Sequence, residues 1–374
     1  MRLRVPRNGV EDKMNNHVTL LEAKSRLEEQ GIAYEILEVG NGMKLLLTQH
    51  GARAIGPFLG EEGESVFWLN KAFKDADAFA RFVGEGAWNL GGERLWLQPE
   101  LRLFCEAPEK FDIDYIVQPG IDPGNWEIER TQKRIVLRQD TEFKALDNGT
   151  TKRCLIERAY WPAENPLRYA ACDGLKNVTY YGFFQHIDLV DKTPENPVRL
   201  EPWLLTQMTP GGTVIVPYFG NFSYDDYYEP VGDLLDDHPG FDGLSYAELQ
   251  ATGYTKYKVA FKSATTFGRM AHLQKAGDFW RLMIRNYYND PSLAYGGEPW
   301  KRVGELGTST YFYNDNGLSG GFLEFENACT PVDDETHRSS SDTSLWFFEG
   351  SKREISAIMR ILLGVNYEWS DAQA

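Results

Sequence analysis

Two carboxylates near the C-terminal end of the chain alternate with apolar residues. Glu324 and Glu326 flank Phe325 in a segment rich in aromatic residues. Because successive side chains of a strand point to opposite faces, both carboxylates are expected on one face. Two like charges on one sheet face are destabilising unless they are solvated or serve a function. In a cleft, one of them would have a raised pKa and suit acid–base chemistry; the alternative is a solvent-facing strand.

A histidine and an aspartate show the same alternation in the middle of the chain. His186 and Asp188 end an aromatic run that begins near Asn177. On a strand they share a face, where the carboxylate would orient or tune the imidazole as a general acid. The alternative is an ordinary polar pair on a sheet surface.

A third segment combines a cation with a flat ring. Arg94 and Trp96 lie two residues apart on a predicted strand, and Glu100 follows closely. A guanidinium can grip hydroxyls or carboxylates, and an indole offers a flat face to a sugar ring. The alternative is a salt bridge between strands beside a core tryptophan.

Motifs of cofactor and metal enzymes are missing from the sequence. There is no phosphate-binding loop, no HExxH, no GxGxxG and no His/Cys cluster with zinc spacing. We therefore predict no cofactor. The acidic segment 223–253 is expected to be a long surface excursion, and its aspartates could form an oxygen-rich calcium site. These aspartates are Asp225, Asp226, Asp233, Asp236 and Asp237.

The regular elements that must position these residues are mostly strands. Short segments rich in Val, Ile, Thr and aromatic residues are separated by Gly, Pro, Asn and Asp, which favours a large antiparallel β-sandwich. The predicted strands are 34–39, 43–49, 113–118, 134–139, 153–160, 177–189, 213–219, 257–261, 279–287, 321–326 and 344–348.

Three helices are predicted at the periphery. Capping boxes begin one helix at Thr19 and another at Ser351. The second helix covers about 352–363, with an apolar stripe at helical spacing, and Gly364 ends it. A further helix is predicted over 71–83, with Asn70 as its cap. Residues 1–16 are expected to be disordered, and 17–370 to form a single domain.

Composition restricts the partners and the compartment. The 374 residues carry a formal charge of −16, and an acidic surface repels phosphate backbones and anionic membranes. We therefore predict neither a nucleic-acid nor a membrane partner; oligomeric state is not predicted. The four cysteines form no CxxC pair, and no signal peptide is visible, which favours a cytoplasmic protein. Periplasmic export is the alternative if a leader has been removed.

As an ordered set, these segments resemble the galactose mutarotase-like supersandwich, the fold of aldose 1-epimerases, and especially its uncharacterised branches. Each motif stands in the family's order along residues 35–365, although the histidine lies further along its strand than in the family. The motif residues are Gly91, Gly92, Arg94, Trp96, Pro99 and Glu100, then Asn177, Thr179 and His186, then Pro202, Trp203, Thr206, Gln207, Pro210, Gly211 and Gly212, and finally Glu326 and Pro331.

The resemblance implies a fold and roles. The fold would be an all-β supersandwich with peripheral helices. In such epimerases a late-strand Glu is the base on the anomeric hydroxyl and a His is the acid on the ring oxygen, which implies Glu326 and His186 here. His272 would replace a second family histidine, and Gln207 would contact the sugar.

We predict that the protein binds a saccharide, and we favour an enzyme over a binding protein. One alternative is a hydrolase, in which Glu326 works with Glu324, Glu100 or Asp188. Another is a lyase, which needs a base and a group that neutralises the carboxylate of a uronate; Arg94 and His186 would supply them. The third is a non-catalytic carbohydrate-binding protein, which would have an aromatic cleft without a perturbed acid–base group.

Overall fold

The computed structural model describes residues 17–107, 115–170, 175, 177–296 and 301–369. These residues form two large antiparallel sheets with four α-helices among them, which confirms the predicted all-β sandwich. The proposed disordered segment 1–16 and Cys172 lie outside the described residues. None of the described helices is long and apolar enough to span a membrane.

The first sheet has nine strands and carries most of the candidate site. In spatial order its strands are β1 (Tyr34–Gly40), β2 (Met43–Thr48), β3 (Arg53–Leu59), β4 (Glu93–Gln98), β9 (Glu201–Met208), β18 (Leu323–Ala328), β17 (Thr308–Asn314), β14 (Tyr257–Lys262) and β11 (Tyr224–Asp226).

The second sheet has ten strands. In spatial order they are β12 (Leu235–Pro239), β13 (Ser245–Gln250), β10 (Thr213–Tyr218), β15 (Arg269–Ala276), β16 (Phe279–Tyr287), β19 (Arg338–Gly350), β8 (Thr179–Asp191), β7 (Thr151–Pro162), β6 (Ile135–Lys144) and β5 (Glu127–Arg130).

One hydrophobic core lies between the facing sides of the two sheets. Leu204 and Phe325 reach it from the nine-stranded sheet, and Leu345 and Phe347 reach it from the ten-stranded sheet. All four side chains are fully buried. Burial of alternate residues on the inner faces leaves the opposite face of each strand for solvent, helices or a site.

A buried ionic network also joins the sheets. Glu93 of β4 accepts from Arg158 and Gln185 with Oε1, and from Thr206 and Arg285 with Oε2. The Glu93 and both Arg side chains have no exposure to solvent. A charge removed from water in this way is tolerated only when it is paired and hydrogen-bonded, and each oxygen of Glu93 has two donors.

The four α-helices are α1 (Leu20–Glu29), α2 (Ala76–Gly84), α3 (Glu100–Phe104) and α4 (Lys352–Leu363). The capping boxes at Thr19 and Ser351 form as predicted, and Gly364 adopts the left-handed conformation that ends α4. α4 packs its apolar stripe on the outer face of the ten-stranded sheet.

The structure corrects three sequence predictions. The single helix predicted over 71–83 is divided: Asn70 caps a 3-10 turn, Lys71–Lys74, and Asp75 then caps α2. Asp75 has extended backbone, so the helix must begin again. The acidic excursion contains β11, β12 and β13, because its alternating residues continue both sheets. The described part of the predicted strand 113–118 is not a strand.

Candidate functional site

The strand register of the nine-stranded sheet gathers the candidate residues on its outward face. Arg94 of β4 lies opposite Leu205 of β9, which lies opposite Glu326 of β18, so these side chains form one row. Glu324, two residues from Glu326, shares its face, while Phe325 between them enters the core. Strand alternation therefore places both carboxylates on the side that faces away from the second sheet.

These side chains surround a cavity of about 200 Å³. Its walls combine seven aromatic rings with charged groups of both signs. The lining residues are Trp88, Arg94, Trp96, Glu100, Tyr115, Trp203, Leu205, Tyr228, Lys256, Lys258, Tyr313, Ser319, Phe322, Glu324 and Glu326.

Glu326 is the most unusual ionisable group in this cavity. Its side chain is 1% exposed, and its Oε2 accepts a hydrogen bond from Trp203 Nε1 at 3.0 Å. Its Oε1 is buried without a hydrogen-bond partner among the described residues. Burial raises the pKa of Glu326 to about 8, against the opposing effect of Lys258 and with the support of the Glu324 and Glu100 charges. At neutral pH most of this carboxyl is therefore protonated.

Lys258 of β14 joins two carboxylates from different parts of the chain. Its Nζ lies 3.2 Å from Glu326 Oε2 and 3.4 Å from Glu100 Oε2. The ammonium also lies 4.5 Å from the ring centroid of Trp203, a cation–π distance. Burial acts to lower the pKa of Lys258, but the carboxylates outweigh it and the pKa is raised. The lysine therefore stays charged in the cavity.

Arg94 and Glu324 form a second buried pair. Arg94 Nη1 donates to Glu324 Oε1 at 2.5 Å, and Gln207 Nε2 donates to the same oxygen at 3.0 Å. The guanidinium lies 4.1 Å from the ring centroid of Trp96 and 5.1 Å from that of Trp88. The planar cation is thus held by stacking as well as by charge, which fixes the position of Glu324.

The position of Trp96 is fixed by a hydrogen bond to a buried carboxylate. Its Nε1 donates to Asp122 Oδ2 at 2.8 Å, and Arg53 Nη2 lies 2.6 Å from the same oxygen. The ring of Tyr115 lies 6.1 Å from that of Trp96, and Tyr115 Oη donates to Glu100 Oε1 at 3.0 Å. The aromatic walls are therefore set by hydrogen bonds and not by packing alone.

Five of the sequence-predicted residues line this cavity together: Arg94, Trp96, Glu100, Glu324 and Glu326. Gln207 lies beside them and contributes through its hydrogen bond to Glu324. Strand alternation predicted only the shared face of Glu324 and Glu326, and the resemblance supplied the rest of the set; the roles assigned to these residues stay predictions.

His186 and Asp188 lie on the other sheet. Gln185 and Ile187 of β8 point inward, so His186 faces the outer surface of the ten-stranded sheet. Its Nδ1 is 2.7 Å from Asp342 and its Nε2 is 3.1 Å from Asp188. The structure therefore does not bring His186 and Glu326 to opposite sides of one sugar ring, as the epimerase prediction required. Strand alternation correctly placed His186 and Asp188 on one face, but it could not indicate that they belong to a different sheet from Glu326.

His272 is also away from the cavity. It is 2% exposed on β15, between the sheets, and its ring is 5.3 Å from that of Phe325. Its Nε2 is 2.7 Å from the carbonyl oxygen of Gly211, and burial lowers its pKa to about 4. The ring is therefore neutral and held in the core, where it cannot replace a substrate-binding histidine.

Several cavity residues were not predicted. Lys258 and Tyr313 were missed because no short motif links them to the carboxylates; the register places Lys258 opposite Tyr313, and Tyr313 opposite Glu324. One local signal was overlooked: Gly317 to Gly321 reads G-x-S-x-G, with Ser319 at the cavity. This segment is a loop before β18, without the strand–turn–helix of a nucleophile elbow, and no histidine is among the cavity residues.

The described residues contain no cluster of three or more acidic, histidine or cysteine side chains that could hold a metal ion. Two of the five aspartates considered for calcium have other partners. Asp225 lies 2.6 Å from Lys262 Nζ, and Asp237 accepts a hydrogen bond from Tyr218. The part of the segment that the structure describes therefore gives no support to the calcium alternative.

No protein-family model and no curated protein matches the chain. Similar solved structures include the galactose 1-epimerase from Lactobacillus acidophilus NCFM, at 12% identity and a TM-score of 0.36, covering 85% of this chain and 95% of that one. They also include the 4-alpha-glucanotransferase from Thermococcus litoralis, at 10% identity and a TM-score of 0.33, covering 84% of this chain and 39% of that one. Both are distant likenesses of fold and carry no argument about activity.

Proposed function

We propose that this protein is a carbohydrate-active enzyme whose acid–base residue is Glu326. The observation that carries the proposal is the state of this carboxyl: it is buried in an aromatic cavity, one of its oxygens has no partner among the described residues, and its pKa is raised to about 8. A carboxyl that is protonated at neutral pH can deliver a proton to a leaving oxygen.

The walls of the cavity favour a saccharide. Trp88, Trp96 and Trp203 present aromatic surface, and Arg94 and Glu324 present a fixed polar edge. Sugars have apolar ring faces and polar rims, so a site with both kinds of surface suits them. A binding protein without chemistry would have no need for the unsatisfied Oε1 of Glu326, because each unsatisfied buried polar atom costs stability.

A second carboxylate lies within reach of Glu326. Glu100 Oε2 and Glu326 Oε2 are both within 3.4 Å of Lys258 Nζ, so they are no further apart than twice that distance. Glycosidases use paired carboxyls separated by about 5–10 Å, one as acid and the other as base or nucleophile. We therefore propose glycoside cleavage, with Glu326 as the acid and Glu100 as its partner, over ring-opening epimerisation with His186.

The test is NMR spectroscopy of free sugars, glycosides and oligosaccharides incubated with three proteins. These are the wild type, Glu326→Gln and the control Glu248→Gln. Glu248 is a suitable control because burial raises its pKa too, but it lies on β13 of the other sheet. Glutamine keeps the shape of the side chain and removes its ability to exchange a proton.

We expect new reducing-end signals with the wild type and the control, and none with Glu326→Gln. Accelerated anomeric exchange that is lost in Glu326→Gln would keep Glu326 as the acid–base residue but make the reaction an epimerisation. Unsaturated products would make it a lyase. Activity that survives in Glu326→Gln, or no reaction with any saccharide, would contradict the proposal.

A further inference from the structure

A loop that contributes Ser319 to the cavity wall is held by one buried carboxylate. Asp315 is 1% exposed, and its Oδ2 accepts from the backbone N–H groups of Gly317, Ser319 and Gly321 at 3.0, 3.2 and 2.9 Å. Its Oδ1 accepts from the hydroxyl of Tyr313 at 3.2 Å. We call residues 315–321 the Asp315 loop. Three N–H donors on one anion give this loop a defined conformation.

The Asp315 loop is also tied to the polar groups of the site. Asn89 Nδ2 donates to the carbonyl oxygen of Ser319 at 3.1 Å, and Asn89 Oδ1 accepts from Gln207 Nε2 at 2.9 Å. The same Gln207 nitrogen donates to Glu324. A continuous set of hydrogen bonds therefore connects the loop with a carboxylate of the cavity wall.

An apolar side chain stands at the tip of this ordered loop. Leu318 is 88% exposed, whereas its neighbour Ser319 lines the cavity. An isolated exposed leucine is common and needs no explanation. This one belongs to a loop of defined conformation and directly precedes Ser319, a residue of the cavity wall.

The size of the cavity limits how much of a glycoside it can hold. At about 200 Å³ it is smaller than the roughly 300–1,000 Å³ of sites for drug-sized ligands, so it suits one sugar ring. In a glycoside, the group attached to that ring must then leave through the mouth. It would pass the surface that the Asp315 loop presents.

We propose that the Asp315 loop is a specificity element and that Leu318 contacts the group attached to the ring in the cavity. The preferred ligands are then glycosides with an apolar substituent or a second sugar whose apolar face can cover Leu318. This inference rests on the proposed function for its ligand class. Asp315 is a positioning residue, because it acts only through the conformation of the loop.

Titrations followed by protein NMR test this inference in a Glu326→Gln background, so that ligands are not consumed. The probes are the methyl glycosides of glucose, galactose and mannose, and the disaccharides maltose, cellobiose, lactose and mannobiose. Leu318→Ser is compared with the control Leu59→Ser, because Leu59 is also exposed, at 64%, but lies at the end of β3.

We expect Leu318→Ser to raise the Kd of the bound disaccharide about three- to tenfold and to change the Kd of its methyl glycoside by less than about twofold. The control should change neither. Asp315→Ala should also raise the Kd of the disaccharide more than that of the methyl glycoside, and thermal melts should confirm that this variant folds.

Two kinds of failure are distinguishable. If disaccharides bind but Leu318→Ser weakens both ligand classes equally or neither, the specificity role is wrong and the proposed function stands. If no saccharide binds to the Glu326→Gln protein or to the wild type, the proposed function fails and this inference fails with it.

Discussion

The ammonium nitrogen of Lys258 lies 3.2 Å from Oε2 of Glu326, yet the pKa of Glu326 remains raised to about 8. The cation lowers this pKa, but burial and the charges of Glu324 and Glu100 outweigh it. Lys258 also pairs with Glu100, so its charge is shared between two carboxylates. Burial therefore leaves Glu326 able to hold a proton near neutral pH, and this proton gives the site a pH dependence that can be measured.

Glu326 should make folding stability fall as the pH rises. The folded pKa, about 8, lies above the ordinary value of 4.5, so between these values the folded protein holds more protons on this group. The stabilisation is complete below pH 4.5 and is lost as the pH rises through 8. Glu326→Gln removes the titration, so it should become more stable than the wild type at high pH, by roughly a few kcal/mol.

The check is urea unfolding of both proteins at several pH values between 5 and 9 (about four points suffice to define the slope). The difference in free energy of unfolding should grow in favour of Glu326→Gln as the pH increases. A difference that is constant with pH would show that Glu326 titrates alike in the folded and unfolded chain, and the acid role would lose its basis.

Lys258→Met should shift the pH dependence of the reaction. If Glu326 is the general acid, kcat/KM falls as the pH rises through about 8, because the acid loses its proton. Lys258 lowers the pKa of Glu326, so its removal should move this fall to higher pH. The measurement is a profile of kcat/KM against pH for the wild type and the variant with the glycoside identified by NMR.

Lys262→Met provides the matched control for this profile. Lys262 lies four residues further along β14 and is also paired with two carboxylates, Asp225 and Glu305, but it does not line the cavity. Its profile should match that of the wild type. Two results would contradict the acid role of Glu326. In Lys258→Met, kcat/KM could fall at the same pH as in the wild type; or the activity of the wild type could rise, and not fall, through about pH 8.

Local signals predicted much of the fold and part of the site. The caps at Thr19 and Ser351 depend on neighbouring residues, and the shared face of Glu324 and Glu326 follows from strand alternation. Such signals act over a few residues, so they can be found in one sequence.

What was missed depends on pairing between distant strands. Alternation gave His186 and Asp188 a common face, but nothing local indicates that β8 belongs to the sheet opposite Glu326. Lys258 reaches the cavity only because β14 pairs with β17, which pairs with β18. A single sequence does not encode such a register in any short motif, and the acid of the epimerase prediction was therefore misplaced.

Glu93→Gln should destabilise the protein strongly. The substitution removes the charge that Arg158 and Arg285 share between the sheets, and both guanidinium groups are fully buried. Breaking a buried pair by removing one partner costs about 3–5 kcal/mol, a large fraction of the roughly 5–15 kcal/mol that stabilises a typical protein.

The measurement is the free energy of unfolding of Glu93→Gln in denaturant, compared with that of the control Glu157→Gln. Glu157 of β7 is half-buried and pairs with Arg138 of β6, whose side chain is 49% exposed; an ion pair open to solvent in this way contributes no more than about 1 kcal/mol. Equal stability of the two variants would mean that the buried network contributes no more than a surface pair.

Leu362→Ala should show that α4 is part of the folded core. Leu362 is 9% exposed and belongs to the cluster that packs this helix on the ten-stranded sheet, together with Ile358 and Met359. Truncating a buried leucine costs about 2–5 kcal/mol, because apolar surface is lost and a cavity is left. Ile361 is the control, since it is the adjacent residue of α4 and is 44% exposed. In urea melts, Ile361→Ala should cost less than about 1 kcal/mol; a similarly small cost for Leu362→Ala would mean that the helix is not docked on the sheet.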